Sequence, residues 1–304
     1  MSMLTAPEAV SRVSIASSAM ISELNVSLWT GRKKDKRASH KVTEDNNAEE
    51  GSAGVYKKLL GDCPELDAIL KHVGYVRNHI HYAMTMPWGD LGQRLVTTAM
   101  SFDYTTKMSE AEDKFWVLVT AFLKVYDWEV AQSQAKLGDM YNPADYLSSE
   151  QIKDKFNFRM VLAPVPENNW LCELGKDQLA DMETRYQEHY EAQIHQAMHD
   201  IADRTTVALT KLHDQLDWVA GEKNKRIFES VFDTCLDMID MLDTCNLTGD
   251  TQMIAIHSKL KAQFGNEFGM MGLSTEALKE DDVLREQTKT VLADVLKELP
   301  SLNM

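Results

Sequence analysis

Between residues 176 and 219 the sequence contains neither glycine nor proline, a run of over forty residues. Those two residues are the ones that break helices, so the stretch is predicted as one continuous helix or two joined end to end. Leu179, Met182, Tyr186, Ile194, Met198, Ile201, Leu209, Leu212 and Leu216 supply its apolar residues. A helix of this length suggests an arm or coiled coil, whose stripe needs a partner surface, and so predicts a homo-oligomer. Three more helices are predicted after it, at 225–246, 251–264 and 275–299, with a turn at 265–272 before the last.

The first half reads differently. Residues 1–20 are rich in Ala, Ser and Val and fit either a frayed tail or a short helix. Partial alternation over 21–28 predicts a strand, Thr30 and Gly31 a turn, and the basic run after them a strand or loop. Residues 43–54 have loop composition, and Leu66, Ile69, Val73, Val76 and Ile80 predict a helix over 64–84. Residues 87–92 read as an ordered loop around Trp88. Ser109 and Glu112 fit a capping box that opens a helix running to Gly138, and 156–162 alternate like a strand. The expected fold is α+β and mostly helical, with a small antiparallel sheet packed by helices in the N-terminal half and long helices in the C-terminal half. Two domains are expected: 1–170, mixed and carrying a basic hairpin, and 171–304, helical.

Charge narrows the function classes. The 304 residues carry 32 Lys and Arg against 47 Asp and Glu, a formal charge of −15, which argues against coating duplex DNA with the whole surface. The sign is reversed locally: Arg32, Lys33, Lys34, Lys36, Arg37 and Lys41 stand against Asp35 alone. Cys63, Cys172, Cys235 and Cys245 form no paired spacing, so reduced thiols are expected. No apolar run is long enough to span a bilayer, and the start lacks the basic region of a secretory signal, which predicts a soluble cytoplasmic protein.

Several ordered motifs stand out: Trp29-Thr-Gly31-Arg32; Met86-Pro87-Trp88-Gly-Asp90-x-Gly92-x-Arg94; Leu137-Gly-Asp139; Asn142-Pro-x-Asp145-Tyr146; and Phe156-x-Phe158 ahead of Pro164-Val-Pro166. Over about residues 25–170 the chain resembles a family of uncharacterised bacteriophage proteins, some of them encoded beside an AAA+ ATPase and a partner with a von Willebrand type domain. The resemblance implies a phage origin and a place in the cytoplasm of an infected host cell. Met86 and Gly89 stand where the family pattern has Leu and an acidic residue, so no acidic pair is expected in this loop.

Candidate chemistry is thin. Glu191, His195 and His199 recur at four-residue spacing with Glu188 one turn earlier, but the Glu-x-x-His pairs of di-iron bundles and the His-Glu-x-x-His of zincins are missing. They read as a solvated face, and no metal or other cofactor is expected. His79 and His81, near Arg77, Tyr82 and Asp90, have acid–base potential but no accompanying nucleophile or phosphate-loop motif. Pro87, Trp88, Asp90 and Arg94 are expected to hold a structural loop. Asp233, Asp237, Asp240 and Asp243 read as an acidic solvated face, and the methionines of 264–273 as either core filling or an adaptable docking surface.

A non-enzymatic protein of phage DNA metabolism is therefore expected. It binds single-stranded DNA through Arg32, Lys33, Lys34, Lys36, Arg37 and Lys41, with Trp29 stacking on a base, while the long helices self-assemble. The alternative is an adaptor that docks its acidic helices on an AAA+ ATPase or another protein machine.

Overall fold

The structure is a computed structural model that describes residues 15–89, 92–166, 176–218, 226–265 and 273–299. Asp90, Cys172, the methionine-containing stretch 266–272 and most of the N-terminal tail lie outside the described residues.

The chain begins with β1 (Ala19–Ser27) and β2 (Arg32–Asp35), then α1 (Lys36–Asp45), β3 (Val55–Lys58) and α2 (Pro64–Tyr75), which runs on as a π-helical segment, Val76–His81. Next come β4 (Met86–Trp88), β5 (Gln93–Thr97) and the long α3 (Thr98–Leu137). Two 3-10 turns (Gly138–Met140, Pro143–Asp145), α4 (Ser149–Lys153) and β6 (Asn157–Pro164) follow. The rest is helical: α5 (Lys176–Leu216), α6 (Glu229–Thr244), α7 (Thr251–Phe264), α8 (Thr275–Glu280) and α9 (Asp282–Glu298). One sheet has the order β4-β5-β1-β6, and β2 pairs antiparallel with β3 in a separate two-stranded ribbon. The fold is thus α+β and mostly helical, and the two strands expected near 21–28 and 156–162 are neighbours in one sheet.

Contacts group the chain into two compact units, one of 1–22, 85–101 and 162–304, the other of 23–84 and 102–161. The sequence reading instead cuts the chain once, at 170, because a change of helix length is visible along the chain and a grouping of distant segments is not.

The first unit is built around α5, whose buried Tyr190, Ile194, Met198, Ile201, Leu209 and Leu212 form one stripe at helical spacing. That stripe packs against α6, α9 and β4 of the same chain. The partner surface expected from a second copy is therefore supplied within the chain, and neither a projecting arm nor a coiled coil is needed to cover α5. The expected last helix is two, because Asp281 turns out of helical geometry and its carboxylate accepts hydrogen bonds from Val283 N and Leu284 N, capping α9.

In the second unit α3 is the spine. Tyr104, Met108, Ala111, Phe115, Val119, Phe122 and Tyr126 recur every three or four residues and are all buried. Phe115 and Phe122 meet Phe156, and Phe115 also meets Phe158, so β6 closes the aromatic core. The capping-box pattern at Ser109 does not start this helix. Tyr104 and Met108 continue the buried stripe upstream, and their burial carries the helix back to Thr98.

Candidate nucleic-acid interface

Gly31 makes the turn that separates a packed aromatic from an exposed basic strand. It has φ +64°, a conformation that favours glycine, and a Cβ there would lie 2.8 Å from Leu66 Cδ2, so that side chain would also have to shift. On one side of the turn, half-buried Trp29 packs its ring on Phe122 and Tyr126, with centroids 6.0 and 5.8 Å away. On the other side β2 begins.

The basic run then divides, which corrects its reading as a strand or loop. Arg32, Lys33 and Lys34 belong to β2, while Lys36, Arg37 and Lys41 belong to α1. Asp35 makes the junction: its carboxylate accepts from Ala38 N at 2.9 Å and caps α1. Buried Ser39 ties the helix down, accepting from Val55 N at 3.0 Å and donating to the Asp35 carbonyl at 2.6 Å. Helix and ribbon thus form one small platform.

Register sorts the side chains of the ribbon. Arg32 lies opposite Lys58 and Lys34 opposite Tyr56, whereas Lys33 lies opposite Lys57. Alternation puts Lys33 and Lys57 on the same face, where Lys57 is buried and Lys33 about half exposed. There Asp145, nearly buried, receives Lys33 Nζ and Lys57 Nζ, each at 2.7 Å, and Lys57 also donates to the Met140 carbonyl. Burial raises the Asp145 carboxyl, but hydrogen bonds and charge from the two lysines outweigh it and hold the group below the usual carboxylate range. The outer face carries Arg32, Lys34, Lys58 and the ring of Tyr56, which is 64% exposed. Lys58 pairs with Asp62 at 3.1 Å. Arg32, Lys34, Lys36, Arg37 and Lys41 are all exposed and meet no carboxylate among the described residues.

The first turn of α1 contains no acidic residue and two cations, Lys36 and Arg37. Positive charge at a helix N-terminus opposes the helix dipole, at a cost of about 0.3–1 kcal/mol each. The Asp35 carboxylate that caps the helix already answers part of this charge, and the exposed cations remain for a further anion.

The structure brings together five of the expected binding residues as surface cations that meet no carboxylate among the described residues, engages Lys33 with Asp145, and places Trp29 against the core. Tyr56 was missed, because it lies beyond α1 in sequence and reaches Lys34 only through strand pairing.

The other sequence candidates fall elsewhere. Pro87 and Trp88 lie on β4 opposite Arg94 and Gln93 of β5, so the expected loop is a β-hairpin. Trp88 is buried edge-on to Tyr190, and Arg94 donates to Thr85 Oγ1 and to the Thr85 carbonyl at 2.6 and 2.7 Å. His79 and His81 do not converge: His81 Nδ1 is buried 2.8 Å from Tyr104 Oη, while exposed His79 stacks on Tyr75. Glu191 accepts from Gln187, His199 meets Asp203, and Asp233, Asp237, Asp240 and Asp243 are exposed on α6.

Among the described residues, one group has metal-ligand geometry, Cys63, Glu65 and Glu129, with ligand atoms within 4.8 Å of one another. Glu129 is already neutralised by Lys136 Nζ at 2.6 Å. Among the described residues, no helix is long and apolar enough to cross a membrane. Compared with protein-family models, curated proteins and solved structures, the chain gives no match.

Proposed function

We propose that the outer face of the β2–β3 ribbon, with the start of α1, binds single-stranded nucleic acid without chemical turnover. One observation carries this: an exposed tyrosine ring stands directly across a strand pair from a lysine that meets no carboxylate among the described residues, flanked by further such cations. Lysine and arginine neutralise phosphates, while an aromatic face accepts an unstacked base whatever its sequence. The stacking role moves from Trp29 to Tyr56. A part in bacteriophage DNA metabolism is supported by the family resemblance alone. Self-assembly loses its original argument, since α5 is covered within the chain.

The test is fluorescence anisotropy with an oligothymidylate across a salt series. Replacing Arg32, Lys34, Lys36, Arg37 and Lys41 with Ala should flatten the slope of log affinity against log salt by about 0.7 for each phosphate that is no longer neutralised. Tyr56→Ala should weaken binding with little change in slope. No binding by the parent at about 50 mM salt, where such contacts are strongest, overturns the reading. The adaptor reading then takes its place, resting on the exposed aspartates of α6.

A further inference from the structure

A second surface of the same unit combines cation and aromatic. His72 of α2 lies with its Nε2 2.8 Å from the Ala111 carbonyl of α3, pinning the two helices side by side. Beside that contact runs an open groove of about 380 Å³ lined by Ala68, Lys71, His72, Tyr75, Lys114 and Leu118. This lies at the small end of ligand clefts, which run from roughly 300 to 1,000 Å³, and suits one nucleotide unit. No carboxylate lines the groove, although the chain as a whole is strongly acidic. Lys71 and Lys114 are exposed and meet no acidic partner among the described residues. Tyr75 is 56% exposed, and its ring is backed by His79 at 5.0 Å with the planes 27° apart. A stacked pair leaves one tyrosine face outward and fixes its orientation. His79 stands four residues after Tyr75, the spacing at which side chains meet along a helix, and lies in the π-helical segment that follows α2.

We propose that this groove is a nucleotide subsite, in which Lys71 and Lys114 hold phosphate and Tyr75, braced by His79, carries a base. The inference rests on the reading of the chain as a binder of single-stranded nucleic acid, but it does not need the β2–β3 face to be the point of contact. Leu66 of α2 abuts the turn at Gly31. Lys71 and Tyr75 lie five and nine residues further along the helix, or about 7 and 14 Å at 1.5 Å per residue. At 3.6 residues per turn both lie on the side of α2 turned away from Leu66, so a strand that touches both surfaces has to pass around the helix.

The experiment is photo-crosslinking of the full chain to an oligothymidylate carrying 4-thiothymidine, with labelled peptides mapped by mass spectrometry. Label on the Lys71–Tyr75 peptide is the expected result, retained when Arg32, Lys34, Lys36, Arg37 and Lys41 are replaced by Ala. In anisotropy, Lys71→Ala and Lys114→Ala should each flatten the salt slope by about 0.7. Tyr75→Ala should weaken binding roughly fivefold or more, with Tyr75→Phe restoring it, since a phenyl ring stacks as well. Circular dichroism checks that these surface variants fold. Label confined to the β2–β3 peptides overturns the subsite and leaves the proposed function standing. Label confined to the groove supports the subsite and removes the function from β2–β3, while absence of any label and any binding overturns both.

Discussion

Asp145 anchors two neighbouring lysines of the ribbon at once, and its removal has two consequences. Lys57 is nearly buried, so Asp145→Asn removes its close carboxylate and leaves its ammonium with the Met140 carbonyl and the more distant Asp35, 4.0 Å away. Breaking a buried pair in this way costs about 3 kcal/mol, to be read as a lower urea midpoint. The pH dependence has a definite sign. Because the folded carboxyl titrates below its unfolded range, its contribution is complete above about pH 4 and lost as pH falls through the folded value. Acid titration of the parent should show this loss, and the Asn variant should lack it. Lys33 is the second consequence. Its charge is committed to Asp145, so Lys33→Ala should change the salt slope of nucleic-acid binding less than Lys34→Ala does, although the two are adjacent in sequence. Equal effects would show that Lys33 leaves Asp145 to meet phosphate.

At the scale of elements, Asp281 offers a clean test of local capping. Its carboxylate serves two backbone amides of α9, so Asp281→Ala should destabilise the chain by about 1 kcal/mol and lower the thermal midpoint by a few degrees. Elements whose pattern matched their environment were legible: α5, α7 and β6 follow from periodicity and from the spacing of breakers. Those set by tertiary contact were not. In α1 the buried positions are Ser39 and Thr43, polar residues that give no hydrophobic period, so a cation-rich segment reads as extended or loop. The β4–β5 hairpin is hidden by short strands around Gly89 and Gly92. As for the candidate site, its cations were visible as a run of like charge. Their sorting into an outer face and an inner clamp depends on the register between β2 and β3, which are separated by α1 and which no local pattern encodes.

For the molecule as a whole, the covering of α5 bears on assembly. A stripe already buried by α6 and α9 gives a second copy nothing to stabilise there, so the thermal midpoint should not change between about 1 and 100 µM protein. A midpoint that rises with concentration would restore self-association on another surface. The interleaving of the two units has a practical consequence for genetic dissection. A fragment ending at 170 keeps β4 and β5 but deletes Tyr190, which packs on Trp88 and bonds Ile15 N, and Arg204, which donates to the Thr85 carbonyl. The β4–β5 hairpin and the β1 strand beside it would lose their cover in such a deletion. Such a fragment keeps the whole of the unit that carries the ribbon but only part of the other, so truncation disturbs one unit while leaving the other's sequence intact, and point substitutions map the ligand more directly.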